Sequence, residues 1–129
     1  MIERYTRKEI KSIWEDKNKY SIWLEIELAA AEAMEKLKII PKGISKKVRS
    51  KAKINVIAFL TSITEKVGKE ARYLHKGMTS SDVLDTCFNL QLKQSGQILL
   101  KDIDQLLVSI KRQALKHKYT MCIGRSHGI

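Results

Sequence analysis

The chain has 129 residues, of which 43% are hydrophobic and 30% charged, with one proline and six glycines. This composition is that of a globular, water-soluble protein and excludes a chain that is disordered throughout. The formal charge of +11 leaves open an anionic substrate or a nucleic-acid partner. No apolar run approaches the roughly 18 residues of a membrane span, and residues 1–7 lack the apolar segment of a secretory signal. We therefore expect a cytoplasmic protein with no membrane partner.

The first half of the chain is predicted to be helical, because residues that favour helix combine with apolar side chains at helical spacing. Pro41 and Gly43 would end the first helix, Ser45 would be the N-cap of a short basic one, and Gly68 would end the third. The predicted ranges are 12–38, 45–53 and 54–67.

A connection over residues 69–79 leads to a cluster of hydroxyl and carboxylate side chains at residues 79–82, which is typical of a helix N-cap. The helix that it starts is predicted to continue to Tyr119 and would be about 60 Å long at roughly 1.5 Å per residue. Two stripes of apolar residues run along it: Leu99, Ile103, Leu106, Ile110 and Ala114 on one side, and Leu92, Leu100 and Leu107 on another. Such a helix needs partner helices from other sequence or other subunits.

The densest basic stretch runs from Lys36 to Lys53, and no aromatic side chains interleave with it to stack bases. We interpret it as a solvated face and predict no specific nucleic-acid binding. Cys87 and Cys122 lie far apart in a spacing that fits no zinc or redox motif, so they are interpreted as reduced thiols.

Thr79 and Ser80, at the predicted start of the long helix, are candidates to bind a carboxylate or a phosphate. Unpaired N–H groups and the positive end of the helix dipole favour an anion there. The alternative is an ordinary N-cap without a ligand. His75, four residues earlier, could face the same site.

Two further candidates lie near the ends of the chain. His127 follows Ser126 and precedes Gly128, and a histidine in such a tight backbone setting could be a general acid or simply a surface side chain. Arg4 and Tyr5 pair a guanidinium with a phenol, both able to hold a phosphate, or they are surface residues.

Three segments, in this order, resemble the adenylosuccinate lyases, a family of the fumarase/aspartase superfamily. Residues 1–5 (Met-Ile-Glu-Arg-Tyr) resemble the opening of the family. Residues 74–86 resemble its His-x-Gly and Thr-Ser-x-Asp-x-x-Asp-Thr motif. Residues 117–128 resemble the segment that ends in Gly-Arg-Thr-His-Gly, with Ser126 in place of the usual threonine. The resemblance runs from residue 1 to residue 129.

The resemblance implies an all-α fold, with an N-terminal helical domain at residues 1–79 and the first long helix of a central helical bundle within residues 80–129. It implies a carbon–nitrogen lyase of purine biosynthesis. By β-elimination, the family cleaves adenylosuccinate to AMP and fumarate, and a succinyl-carboxamide ribotide to its carboxamide ribotide and fumarate. The implied substrate is a purine nucleotide, with no metal and no organic cofactor. Family members are homotetramers whose sites combine residues from three subunits.

The resemblance also implies roles for the candidate substrate-binding residues. Arg4 and Tyr5 would hold the nucleotide phosphate. Thr79 and Ser80 would bind the succinyl part at the helix N-terminus, and His75 would line the pocket.

The general acid implied by the resemblance is His127, whereas the base belongs to a loop that the family carries beyond the position of Ile129. We therefore expect the 129-residue polypeptide to be inactive alone, and to act through self-association or with a complementary C-terminal fragment. Ile54 stands where the family has a functional histidine, and the family has extra residues between Lys53 and Ile54. The alternatives are a basic helical interaction or nucleic-acid-binding protein, and a non-functional remnant.

Overall fold

A computed structural model describes residues 2–52 and 67–127, in which helices predominate and no strand occurs, so the all-α prediction is confirmed. The helices are α1 (Lys8–Ile13), α2 (Asp16–Lys36), α3 (Ile44–Ala52), a long helix (Ser80–Lys116), and short 3-10 helices at Glu3–Tyr5 and Gly68–Tyr73. None of the helices in these two ranges combines the length and hydropathy that crossing a membrane requires. Ile54 and nearly all of the helix predicted over 54–67 lie outside the described residues.

The chain divides into two units, residues 1–95 and 96–129. In the first unit, α2 and α3 pack against each other, and the 3-10 helix Gly68–Tyr73 packs on α3. Apolar side chains one turn apart on α2 and α3 face each other, because each helix presents one apolar stripe to the other. The buried side chains of this core are Leu28, Ala31, Ile40, Ile44, Val48 and Val67.

The single helix predicted over residues 12–38 is wrong, because the chain breaks it after Ile13. Glu15 has an extended backbone (ψ 149°), and α2 begins at the next residue. At this break the carbonyl oxygen of Ile13 accepts two hydrogen bonds of 2.8 Å, a local one from Nδ2 of Asn18 and a tertiary one from Nε2 of Gln91. With that oxygen satisfied by side chains, the helix can end there at little cost.

The beginning of the long helix packs on this break. Val83, Cys87 and Gln91 are buried on its inner side. The ring of Phe88 meets that of Trp14 edge to face, with 6.1 Å between centroids. Burial raises the pKa of the Cys87 thiol, so this cysteine packs as a small apolar side chain. Cys87 and Cys122 are both free thiols.

The N-terminus of α3 is capped from α2, not by Ser45, which was predicted to be the N-cap and instead lies buried inside α3. Glu35, in the last turn of α2, accepts hydrogen bonds from the backbone N–H groups of Gly43 (2.9 Å) and Ser45 (2.7 Å). These two bonds hold the pKa of the Glu35 carboxyl below its ordinary value of 4.5. The carboxylate therefore joins α2 to the start of α3.

Replacing Glu35 with glutamine is expected to lower the free energy of unfolding at neutral pH by about 1 kcal/mol, the usual scale of a lost helix cap. Because the folded-state pKa of Glu35 is depressed, its contribution is present above pH 4.5 and is lost as the pH falls through the folded-state value. Urea unfolding curves across this range should show the wild type and Glu35→Gln converging in acid. Glu32→Gln, an exposed change on the same helix, is the control. A constant difference at all pH values would contradict this account.

Three of the four basic side chains of α3 are paired with carboxylates of neighbouring elements. Arg49 lies 2.7 Å from a carboxylate oxygen of Glu25 on α2. Lys47 and Lys51 each lie 3.5 Å from the carboxylate of Glu70 in the second 3-10 helix. These ion pairs join α3 to its neighbours. Because a carboxylate partly neutralises each paired cation, these cations attract a polyanion such as a nucleic acid less strongly.

In the second unit, residues 96–116 continue the long helix, and residues 117–119 form a turn closed by a 3.1 Å bond from the Thr120 N–H to the carbonyl of His117. The predicted end near Tyr119 is thus three residues late. Apolar side chains remain half or more exposed along this part of the helix: Leu99, Leu100, Ile103, Leu106, Leu107, Val108, Ile110 and Leu115. We call these eight residues the apolar face.

Candidate functional site

Residues 75–82 form one short segment that contains three of the predicted substrate-binding residues. A turn begins at His75, whose carbonyl oxygen lies 3.4 Å from the backbone nitrogen of Met78. Gly77, the third residue of this turn, has φ 72°, in the left-handed region that favours glycine. The turn ends immediately before Thr79, so a single tight turn separates His75 from the start of the long helix.

The start of the long helix is capped by its own side chains. The backbone N–H of Thr79 donates to Oδ2 of Asp82 at 2.7 Å, and the Thr79 hydroxyl lies 3.2 Å from the same oxygen. This is one half of a capping box, and it confirms the helix start predicted from the hydroxyl and carboxylate cluster. Ser80, the first helical residue, has an exposed side chain. The positive end of the helix dipole at this point favours an anionic ligand beside the hydroxyls.

Glu27 is the residue of this site that sequence reasoning missed. It lies in the middle of α2, is only 6% exposed, and accepts the backbone N–H of His75 at 2.7 Å through Oε2. Its other oxygen, Oε1, lies 2.6 Å from Nδ1 of His75. The sequence carries a signal for it: Glu27 interrupts the apolar stripe that Leu24, Leu28 and Ala31 form on α2.

Arg4 and Tyr5 lie together in the first 3-10 helix, with the guanidinium carbon of Arg4 5.5 Å from the centroid of the Tyr5 ring. Tyr5 is 76% exposed, and the guanidinium of Arg4 is also open to solvent. Within residues 2–52 and 67–127, no hydrogen bond or ion pair joins these two side chains to the His75–Asp82 segment. The pair is available to a ligand, but the structure does not bring it to the other candidates.

His127 lies in the second unit, in an exposed turn after an irregular stretch. Its backbone has φ 49°, and that of His75 has φ 56°. In the part of the chain that the structure describes, three residues other than glycine have positive φ, and two of them are these histidines. Such conformations cost about 1 kcal/mol or more each and concentrate at functional sites.

The His75–Asp82 segment and Glu27 together offer one imidazole, a buried carboxylate and hydroxyls, whereas the imidazole of His127 belongs to the second unit. Imidazoles can act as acids or bases near neutral pH. No group of three or more His, Cys, Asp or Glu side chains in residues 2–52 and 67–127 is arranged to hold a metal ion.

Comparison with known proteins gives one family and several named relatives. A family model described as lyase matches residues 24–129. The adenylosuccinate lyases of Aquifex aeolicus (strain VF5), Bacillus subtilis (strain 168) and Synechocystis sp. (strain ATCC 27184 / PCC 6803 / Kazusa) are 42%, 41% and 43% identical to this chain. Each match covers all of this chain and 33% of the relative, so the chain spans about a third of the length of these relatives.

The alignments with these relatives extend over 143 to 146 positions, against the 129 residues of this chain. The relatives therefore carry residues inside the matched region that this chain lacks. The family match takes in most of α2, all of α3, the His75–Asp82 segment and the long helix. The chain belongs to the lyase family.

Proposed function

We propose that this chain forms part of an adenylosuccinate lyase, which cleaves adenylosuccinate to AMP and fumarate by β-elimination. The observation that carries the proposal is the identity of 41–43% over the whole chain to three adenylosuccinate lyases. In this reaction a base removes a proton from the succinyl carbon next to a carboxylate. The carbon–nitrogen bond breaks, and an acid protonates the departing nitrogen. The succinyl-carboxamide ribotide is the second proposed substrate, because it offers the same succinyl group on nitrogen.

The proposed roles follow the chemistry of each side chain. His127 is the general acid, and its left-handed backbone supports a functional constraint at that residue. Thr79 and Ser80 bind a succinyl carboxylate, supported by their place at a helix N-terminus. Arg4 and Tyr5 bind the phosphate, supported by their exposed guanidinium and phenol.

His75 lines the pocket, supported by the tight turn that links it to Thr79. No metal or organic cofactor takes part in the proposed reaction, since an acid, a base and anion-binding groups suffice for the elimination. The residues of one site come from several copies of the chain, as in the family that it resembles, so His127 and His75 of one site need not belong to the same copy.

The proposed architecture has an N-terminal helical domain at residues 1–79, while residues 80–129 begin a central helical bundle. The exposed apolar face supports it, because contiguous apolar surface of this kind marks an interaction site. We propose that other helices of the same protein cover the apolar face in a homo-oligomer.

The 129-residue polypeptide is therefore expected to self-associate. Replacing Leu100 and Leu107, which are 64% and 58% exposed, with lysine should reduce association, because two charges would have to be buried in the interface. Sedimentation and binding of an apolar dye measure the effect. The matched control replaces Gln105 and Gln113, exposed polar residues of the same helix, with lysine. A wild-type polypeptide that sediments as a compact monomer and binds no dye would exclude the proposed interface.

The proposed function is tested with a hybrid enzyme, in which these 129 residues replace the matching third of the Bacillus subtilis relative. Fumarate release from adenylosuccinate should be measurable with the hybrid and absent with the 129-residue polypeptide alone. Since an isoleucine side chain neither donates nor accepts a proton, Ile54→His should increase turnover of the hybrid. A hybrid that folds and oligomerises but releases no fumarate, with or without Ile54→His, would refute the proposal.

A further inference from the structure

The carboxylate of Glu27 is buried, and among the described residues it is hydrogen-bonded to one residue, His75. Placing a charged carboxylate away from water is costly unless hydrogen bonds compensate it. Glu27 is 6% exposed, and within the described residues both of its oxygens are used by His75: Oε2 by the backbone N–H at 2.7 Å and Oε1 by ring Nδ1 at 2.6 Å. A residue on α2 thus fixes both the backbone and the ring of a residue 48 positions later.

The backbone bond explains the conformation of His75. Its φ of 56° is left-handed, a conformation that is unfavourable for a residue with a Cβ. The 2.7 Å bond from its N–H to a buried carboxylate is charge-assisted, and such bonds are stronger than neutral ones, so it offsets part of that cost. Glu27 can therefore hold His75 in a conformation that the local sequence alone does not favour.

The ring bond decides which nitrogen of His75 carries a proton. An ionised carboxylate only accepts hydrogen bonds, so Nδ1 must be the donor toward Oε1 of Glu27. The other ring nitrogen, Nε2, has no protein partner within residues 2–52 and 67–127, and the side chain is 48% exposed. The imidazole is anchored along one edge, and its opposite edge is open to a ligand.

We infer that Glu27 is a positioning residue, which orients His75 and keeps the proton on Nδ1 so that Nε2 meets the substrate. The inference rests on the proposed function for the role of His75 in the pocket, whereas the orientation itself rests on the two hydrogen bonds. Carboxylates that bind one nitrogen of a functional histidine fix the tautomer and the direction of the ring in the same way.

The variant Glu27→Gln distinguishes the hydrogen-bonding role of the carboxylate from its contribution to packing, because glutamine has nearly the same shape as glutamate. An amide offers one acceptor and one donor group instead of two acceptors. The backbone N–H of His75 needs the amide oxygen, so the amide NH₂ faces Nδ1, and Nδ1 must become the acceptor. The proton then moves to Nε2, and the tautomer of His75 is reversed.

The experiment is a long-range ¹H–¹⁵N spectrum of the histidine rings of the full 129-residue chain, recorded in alkaline buffer where ordinary histidines are neutral. The wild type should show Nδ1 of His75 protonated and Nε2 unprotonated, and Glu27→Gln should show the reverse. His75→Asn assigns the signal by its loss, because asparagine tolerates the left-handed backbone. Glu25→Gln, which removes an exposed carboxylate from the same helix, should leave the wild-type pattern.

A wild-type His75 that is protonated on Nε2, or that shows the mixture of tautomers of an unstructured histidine, would overturn the inference. This decision needs only the wild-type chain and so does not depend on whether Glu27→Gln folds. In the hybrid enzyme, Glu27→Gln should lower fumarate release roughly 10-fold or more, the scale on which loss of a residue that orients a functional ligand acts, while Glu25→Gln should not. Fumarate release by the unsubstituted hybrid tests the proposed function and the tautomer tests the positioning, so the two can fail separately.

Discussion

Replacing His127 with alanine is expected to lower fumarate release by the hybrid enzyme by about 10² to 10⁴-fold. This is the usual contribution of a general acid, which protonates the departing nitrogen as the carbon–nitrogen bond breaks. The loss should appear in kcat more than in KM, because the proton is transferred only in the transition state. Steady-state kinetics with adenylosuccinate measure both constants.

The matched control for this variant is His117→Ala. His117 is an exposed histidine of the same unit, and its Nδ1 lies 3.2 Å from the Thr120 hydroxyl in the turn after the long helix. It has no proposed role in the reaction, so its replacement should leave kcat nearly unchanged. A His127→Ala hybrid that retains kcat within twofold of the unsubstituted hybrid would remove His127 from the proposed mechanism.

Replacing Leu28 with alanine is expected to lower the free energy of unfolding by about 3 kcal/mol. Leu28 is fully buried at the centre of the core between α2 and α3. Truncating a buried leucine removes apolar contacts and leaves a cavity, which typically costs 2–5 kcal/mol. Alanine favours helix at least as well as leucine, so the loss reports packing and not helix propensity.

Urea unfolding followed by far-UV circular dichroism measures the effect of Leu28→Ala. The control is Leu37→Ala, the same chemical change at the end of α2, where the side chain is 70% exposed. Exposed substitutions of this kind usually change stability by less than about 0.5 kcal/mol. Equal losses for the two variants would mean that Leu28 does not occupy the core described above.

The parts of the fold that could be predicted from sequence are those formed by contacts between residues that are close in sequence. The start of the long helix was predicted correctly, because the cap at Thr79 and Asp82 is formed within four residues. The break after Ile13 was not predicted, because Gln91, whose side chain donates a hydrogen bond to the carbonyl oxygen of Ile13, lies 78 residues away. The cap of α3 was also predicted wrongly. Serine is a residue type that favours the N-cap position, but in the structure the carboxylate of Glu35, from the preceding helix, accepts the hydrogen bonds of the N–H groups at the start of α3.

The candidate site shows the same division. Thr79, Ser80 and His75 could be picked out because they are close in sequence and carry recognisable chemistry. Glu27 was not picked out, since a glutamate inside a helix is ordinarily a solvated residue. Its partner is 48 residues away in sequence, and only the folded structure shows the 2.6 Å contact between Oε1 of Glu27 and Nδ1 of His75. An acidic residue within the apolar stripe of α2 is the local signal that could have marked it.

We propose that these 129 residues supply part of an adenylosuccinate lyase site. The most direct test is the simultaneous chromatographic measurement of AMP and fumarate formed from adenylosuccinate by the hybrid enzyme. We expect both products in equal amounts, since one elimination releases one of each. A folded, oligomeric hybrid that forms neither product, or a 129-residue polypeptide that forms both alone, would contradict it.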